Sequence, residues 1–480
     1  MKRMRRDGQV PNSTSTHWEN TSPPIFDLPH DVLRTIFSLN AQHFVDLEQS
    51  ENGFSVMESP NSDDPLLTTR RASQVCRQWR DLILSSPTLW EKALDLNSLA
   101  AGKPEWTTEV LKRTGNAPLT VVGQMINRQK FPVSFLETIV LCHWCRIKAL
   151  IIIRFHSFRT NGNAHFDKVI RNLLTRPAPN LQNCIIIDTN DNYARVVGDQ
   201  TDPLFGGQAP KLQSMTLLND SCFDGSKLSN LRRFYLLWTQ LYPVDVILTA
   251  LAGMPLLEEL ELEMDPDEGL TKQRTVRSSV IELRYLRKIA LYNSFKWLGH
   301  LVQWVVPKHG CTLFHYVTDS CDIDTDLTTV EVIEFGREAY TTFLGRYLDA
   351  TELTELSYTM ECGNEDESPC LEIKARRKKM IHPELRVNED GDEYPLFFTY
   401  VKKTFPTIHY LGPILSFFRK ALSSCDLSNI KTLTFSMSLE NAIDRSHGYK
   451  ELIAREDNAI IEFFNMLTGV TELVVYGCPK

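Results

Sequence analysis

The chain has 480 residues, with 52 Lys and Arg against 60 Asp and Glu, a formal net charge of −8 and a pI near 5.9. That acidic balance argues against nucleic acid as the main partner, because neutralising phosphates needs a lysine- and arginine-rich face. At 42% hydrophobic and 23% charged the chain has enough apolar residues for a large core, and the densest apolar stretch, 149–153, is far too short for a membrane span.

Residues 1–24 are rich in Ser, Thr, Asn and Pro without periodicity and read as a disordered arm; the basic start 1–6 is followed by polar residues, not by the apolar run of a secretory signal. A first helix is expected from Pro29, whose missing N–H costs nothing in a first turn, with Asp31 favouring the positive helix end. Val32, Leu33, Ile36 and Phe37 place an apolar stripe on one face of it. Turn-forming composition over about 40–65 predicts a loop. A second helix is expected over 70–85, with Ala72, Val75, Cys76, Trp79, Leu82 and Ile83 on one side. Ser86-Pro87 ends it, and Thr88 is suited to cap a short third segment carrying Leu89 and Trp90.

Beyond residue 117 the chain changes to short apolar runs with a recurrent L-x-x-L-x-L spacing. Copies start at Ile147, Leu181, Leu212, Leu231, Leu257, Leu286, Leu327, Leu353, Ile430 and Val470. The early starts lie 34, 31, 19, 26 and 29 residues apart, around the period of leucine-rich solenoids. The last two apolar positions are two residues apart, so both point inward from one strand face. Stretches such as 245–253 and 295–306 are expected as helices on the convex side. The segment 361–393 interrupts the pattern with acidic, basic and again acidic blocks and reads as a solvated excursion; a nuclear-targeting role for Arg376–Lys379 is the second reading.

Catalytic signatures are absent: there is no phosphate loop, nucleophile elbow, zincin helix or dinucleotide fingerprint. Cys142-His143-Trp144-Cys145 is a C-x-x-C without a second ligand pair, and is read as buried free cysteines, not as half of a zinc site. No metal, cofactor or enzymatic activity is expected. The eleven cysteines are odd in number and lack a repeated framework, which suits free thiols in a reducing compartment, cytoplasmic or nuclear.

The helical segment carries L-P-x-D-V-L-x-x-I-F, formed by Leu28, Pro29, Asp31, Val32, Leu33, Ile36 and Phe37. It is followed by V-C-R-x-W-R-x-L-I-x-S-x-x-L-W, formed by Val75, Cys76, Arg77, Trp79, Arg80, Leu82, Ile83, Leu89 and Trp90. This bipartite pattern resembles the F-box over residues 25–96. Two features depart from the compact form: about two dozen residues are inserted at 40–65, as in expanded fungal F-box families, and Asp31 stands where glutamate is commoner. The resemblance implies docking of the Skp-family adaptor of SCF-type (cullin-RING) ubiquitin ligases. The adaptor-binding residues would come from Leu28, Pro29, Val32, Leu33, Ile36, Phe37, Val75, Cys76, Trp79, Leu82 and Trp90. The alternative for this segment is a helical cap on the first repeat.

The fold class expected is α/β, a small helical F-box before an irregular leucine-rich-repeat solenoid over 97–480 with a parallel sheet on its concave face. Residues alternating with the inward leucines would line that face: Arg233 and Tyr235, then Trp238; Glu259 and Glu261; Lys288 and Tyr292. They form either a cross-strand charge ladder or a surface for an unknown protein substrate. The implied function is a substrate-recognition subunit of the ligase, with a non-ligase scaffold as the alternative.

Overall fold

The computed structural model describes residues 28–41, 46–50, 53–57, 64–92, 94–126, 133–155, 164–188, 203–218, 227–237, 244–263, 280–292, 301–317, 330–347, 353–361, 370–377, 397–402, 420, 422–423, 427–438, 465 and 467–476. It divides into two compact units: Met1–Ala93 with Thr108–Gly115, and Leu94–Thr107 with Asn116–Lys480. The division expected at 96/97 is therefore interleaved, with one segment from each side exchanged.

In the first unit α1 (His30–Asn40) starts after Pro29, as its sequence requires. The stretch expected as a loop holds a hairpin, β1 (Asp46–Ser50) antiparallel to β2 (Gly53–Met57). The single helix expected over 70–85 is two helices, α2 (Pro65–Ala72) and α3 (Arg77–Leu84). Each has its own cap. The Asp64 carboxylate accepts from the Leu66 and Leu67 amides at 2.8 and 3.4 Å, and the Cys76 sulfur, in extended backbone, accepts from the Trp79 amide at 3.4 Å. The short helix α4 (Pro87–Glu91) starts after Ser86 and not after Thr88, because Pro87 takes the first helical position; the Ser86 hydroxyl makes no capping bond and donates instead to the Leu82 carbonyl at 2.6 Å. Leu33, Leu66, Ile83 and Trp90 are wholly buried between these helices. The Trp90 indole is satisfied there by the Ile83 carbonyl at 2.9 Å, with the Arg113 guanidinium 4.6 Å from its ring.

The second unit is α/β. Its sheet has fourteen strands among the described residues. Nine run parallel as neighbours in chain order, with α-helices in several of the connections between them. They begin with β3 (Leu94–Asp95), followed by α5 (Leu96–Ala101) and α6 (Pro104–Arg113), whose residues from Thr108 on belong to the first unit. Next come β4 (Leu119–Ile126), α7 (Val133–His143), β5 (Ile147–Phe155), α8 (Ala164–Leu174), β6 (Asn183–Asp188), β7 (Ser214–Leu218), β8 (Arg233–Leu237), α9 (Val244–Ala252) and β9 (Glu259–Glu263). Short β10 (Ile281–Leu283) pairs apart from the main sheet with β12 (Val305–Pro307), while β11 (Lys288–Tyr292) and β13 (Thr312–Val317) continue it.

A turn recurs before the strands, and it extends the sequence pattern backward by three residues. The amide of Leu181 donates to the Ala178 carbonyl, Leu212 to Ala209, Leu231 to Leu228, Leu257 to Met254, Leu286 to Leu283, Cys311 to Lys308, Ile430 to Leu427 and Val470 to Leu467, at 3.0–3.4 Å. In all but the Lys308 turn the first residue is apolar and buried. The next amide along bonds the preceding repeat, as in Gln213 to Gln182, Arg232 to Gln213, Glu258 to Arg232 and Arg287 to Glu258. Each repeat thus satisfies its turn internally and its strand on its neighbour, which is how a solenoid-like order meets every backbone group.

Two expectations fail in the later part. The copy expected at Leu327 does not run into a strand: Leu327 lies outside the described residues, and its Val330 and Val332 positions fall in helix α10 (Val330–Tyr347). A longer window reveals the helical spacing, with apolar Val332, Ile333, Ala339, Tyr340, Phe343 and Leu344. The strand of that region is β13, where one residue fewer separates Cys311 from Leu313 and His315 takes the last apolar position. Nor is 361–393 wholly an excursion. Residues Cys370–Arg377 form β15, which runs antiparallel to both its neighbours, β14 (Leu353–Glu361) and β16 (Phe397–Lys402), unlike the other described strands of this sheet. The period-two run Leu371-Glu372-Ile373-Lys374-Ala375 explains the strand, and the flanking charges obscured it. The acidic runs at 365–367 and 389–393 lie outside the described residues. β14 continues through β17 (Thr432–Ser438) to β18 (Glu472–Tyr476). Of the expected helices, 245–253 is α9; in 295–306 only 301–306 is described, a helical turn running into β12.

Candidate functional site

Two surfaces carry the residues singled out by the sequence. On the first unit, α1 has two apolar stripes. Leu33 and Phe37 face the core, whereas Val32, Ile36 and Leu39 are 39, 37 and 55% exposed. Val75, in the turn between α2 and α3, is 58% exposed, and Leu67 and Leu84 are also exposed. So many large exposed apolar side chains on a small helical unit mark a contact surface.

This divides the expected adaptor-binding set. Pro29, Val32, Ile36 and Val75 are exposed, and Leu28 is half-buried. Leu33, Phe37, Leu82 and Trp90 are core residues, at most 5% exposed, with no surface left for a partner. Cys76 is spent on its cap, and the half-buried Trp79 packs edge-on against Phe37 with ring centroids 4.9 Å apart. Leu39, Leu67 and Leu84 were missed; only the tertiary arrangement of the helices tells an inward from an outward leucine here.

On the second unit, the sheet face carrying Leu150, Ile152 and Arg154 is the one that helices cover. The Arg154 guanidinium lies 4.2 Å from the Phe166 ring of α8, and His315 Nδ1 is hydrogen-bonded to the Tyr340 hydroxyl of α10. The opposite face carries the expected rows. Arg233, Glu259 and Lys288 are register partners on adjacent strands, as are Tyr235, Glu261 and Ala290. The Tyr235 hydroxyl donates to Glu259 at 2.7 Å, and burial together with that carboxylate pushes the phenol pKa up. Glu261 is buried, Tyr292 packs on Ala290 and Phe314, and the Lys288 ammonium sits 5.3 Å from the Phe314 ring. Trp238 lies outside the described residues.

One residue upstream runs a second charged row that the sequence reading missed. Glu258 takes hydrogen bonds from both Arg232 and Arg287. Burial alone would raise this carboxyl, but the two guanidiniums outweigh it and hold its pKa below the ordinary value. Among the described residues no group of three or more His, Cys, Asp or Glu could hold a metal ion, and no helix is long and apolar enough to cross a membrane.

The geometry therefore defines a class: an α/β protein with a helical unit bearing an apolar surface, and a sequentially ordered, mostly parallel sheet bearing charged and aromatic rows. Comparison with protein-family models and with curated proteins finds no match for this chain.

Proposed function

We propose that the chain is a substrate-recognition subunit of an SCF-type cullin-RING ubiquitin ligase, docking a Skp-family adaptor through its helical unit and a protein substrate through its repeat sheet. The observation that carries the reading is the outward stripe Val32, Ile36 and Leu39 with Val75, on the segment whose sequence resembles the F-box. Such a stripe suits an apolar partner groove, where a few central side chains supply most of the binding energy. The half-buried row Arg233–Glu259–Lys288, with Tyr235 beside it, offers the substrate side charge and aromatic area, whereas Glu261, expected in that surface, is buried and drops out of it. The role is tethering: holding a substrate beside the conjugating enzyme raises its local concentration to about millimolar, and ubiquitin transfer occurs on other subunits.

Co-expression with the adaptor, followed by affinity capture, tests this. The double substitution Val32→Asp with Ile36→Asp places two carboxylates in the contact and is expected to weaken adaptor binding at least about tenfold, a loss of about 1.4 kcal/mol. Unchanged capture overturns the docking assignment. Adaptor binding without recruitment of a cullin overturns the ligase reading.

A further inference from the structure

The C-x-x-C at the end of α7 is not buried as its sequence context predicts. Cys142 and Cys145 are both exposed, whereas Trp144 between them is 6% exposed and turned inward. The two cysteines are three residues apart where α7 passes into a 3-10 turn (Trp144–Arg146), and both are on the solvent side while Trp144 between them faces the interior. Residues three apart in helical backbone are about 5–6 Å apart between Cβ atoms, close to the separation that a disulfide bridges.

The backbone that carries them is held at four points. The Trp144 indole donates to the Pro177 carbonyl at 2.9 Å and its ring stacks on Phe205, centroids 6.4 Å apart. The Cys145 carbonyl accepts from the Asn180 side-chain amide at 2.7 Å, and the Arg146 guanidinium donates to the Ala117 carbonyl at 2.9 Å. The other described buried cysteines are unsuited to such chemistry. Burial pushes the Cys184 thiol up to about 12 and raises Cys311 as well, so neither presents a thiolate.

We infer that Cys142 and Cys145 form a redox-active dithiol, a modification site closed to an intramolecular disulfide by disulfide oxidants such as oxidised glutathione. The thiolate of one cysteine attacks the glutathione S–S bond, forming a mixed disulfide and expelling one glutathione thiolate. The thiolate of the other cysteine then attacks the mixed disulfide, forms the Cys142–Cys145 bond and expels the second. Two protein thiols are oxidised, one glutathione disulfide is reduced to two thiols, and the two protein protons end on the glutathione sulfurs. The clamped backbone favours the second step over a second glutathionylation, because the resolving thiol is already in place.

The test uses the full chain equilibrated in glutathione redox buffers, quenched, alkylated and mapped by mass spectrometry on tryptic peptide 131–146. The expected product is the peptide lighter by two hydrogens and free of glutathione, while Cys184 and Cys311 remain alkylated. Cys142→Ser and Cys145→Ser each leave one glutathione on the remaining thiol. The ratio of disulfide to dithiol at a given buffer poise is expected to be at least about tenfold higher in the folded chain than in the same chain in denaturant. Glutathione on both cysteines of the wild type overturns the inference, as does a ratio unchanged by unfolding.

Discussion

Leu33 and Val32 are neighbours on α1, both branched and apolar, yet Leu33 is wholly buried and Val32 is 39% exposed. Their substitution costs should separate accordingly. Leu33→Ala removes a side chain from a closed core and is expected to destabilise by about 2–5 kcal/mol, and Trp90→Ala by about 3–5 kcal/mol. Val75→Ala, at 58% exposure, should stay within about 0.5 kcal/mol. Chemical denaturation with matched m-values checks all three, and a large loss at Val75 would show that this side chain is packed. Periodicity marked Leu33 and Val32 as one stripe because the two lie only about 100° apart around a helix; which side of that stripe meets a neighbouring helix is not local information. The same holds for Cys142 and Cys145, read as buried beside an apolar strand and found on the outer side of the helix end.

The repeat turn is the element on which the second unit is built. Among the described residues it closes with the same hydrogen bond in eight places, and its spacing also explains a close approach near the end of the sheet. A Cβ on Gly469 would stand 1.9 Å from the Ser428 carbonyl oxygen, in the turn of the preceding repeat. Gly469→Ala is therefore expected to push the β18 turn off its neighbour and cost about 1–3 kcal/mol, measurable as faster amide exchange at 470–476. The Arg232–Glu258–Arg287 bridge joins the residues just before three adjacent strands, β8, β9 and β11, and has a pH signature. Its carboxyl pKa is depressed in the folded chain, so its contribution is present above the ordinary value of 4.5 and is lost as pH falls through the lower folded value. Glu258→Gln should flatten that part of the acid limb of the stability profile, and an unaltered limb would show the bridge to be energetically silent. Strands with the L-x-x-L-x-L spacing were legible because both inward positions are leucine-like. β13 was not, because His315 takes the last of them and one spacer residue is missing. β15 was not either, because the charged residues on both sides of it mask its period-two core.

At the scale of the molecule the two units exchange segments: Thr108–Gly115 belongs with the first, although Leu94–Thr107 before it belongs with the second. A fragment ending at residue 96 therefore lacks Val110 and the Arg113 guanidinium that covers Trp90. A fragment ending at residue 115 should melt higher by at least about 4 °C, the shift that 1 kcal/mol produces in a domain of this size. Equal melting temperatures would place the boundary back at 96. The sequence by itself determined the α/β class, the starts of most strands and the segment that holds the apolar helices, since each follows from the 3.6- or 2-residue spacing of nearby side chains. Only the tertiary structure decided which apolar residues remain outside the core, that a charged stretch supplies a strand, that α10 stands where a strand was expected, and that the units interleave. Those outcomes depend on contacts between residues distant in the chain, where burial and backbone pairing on a neighbouring repeat override the local pattern.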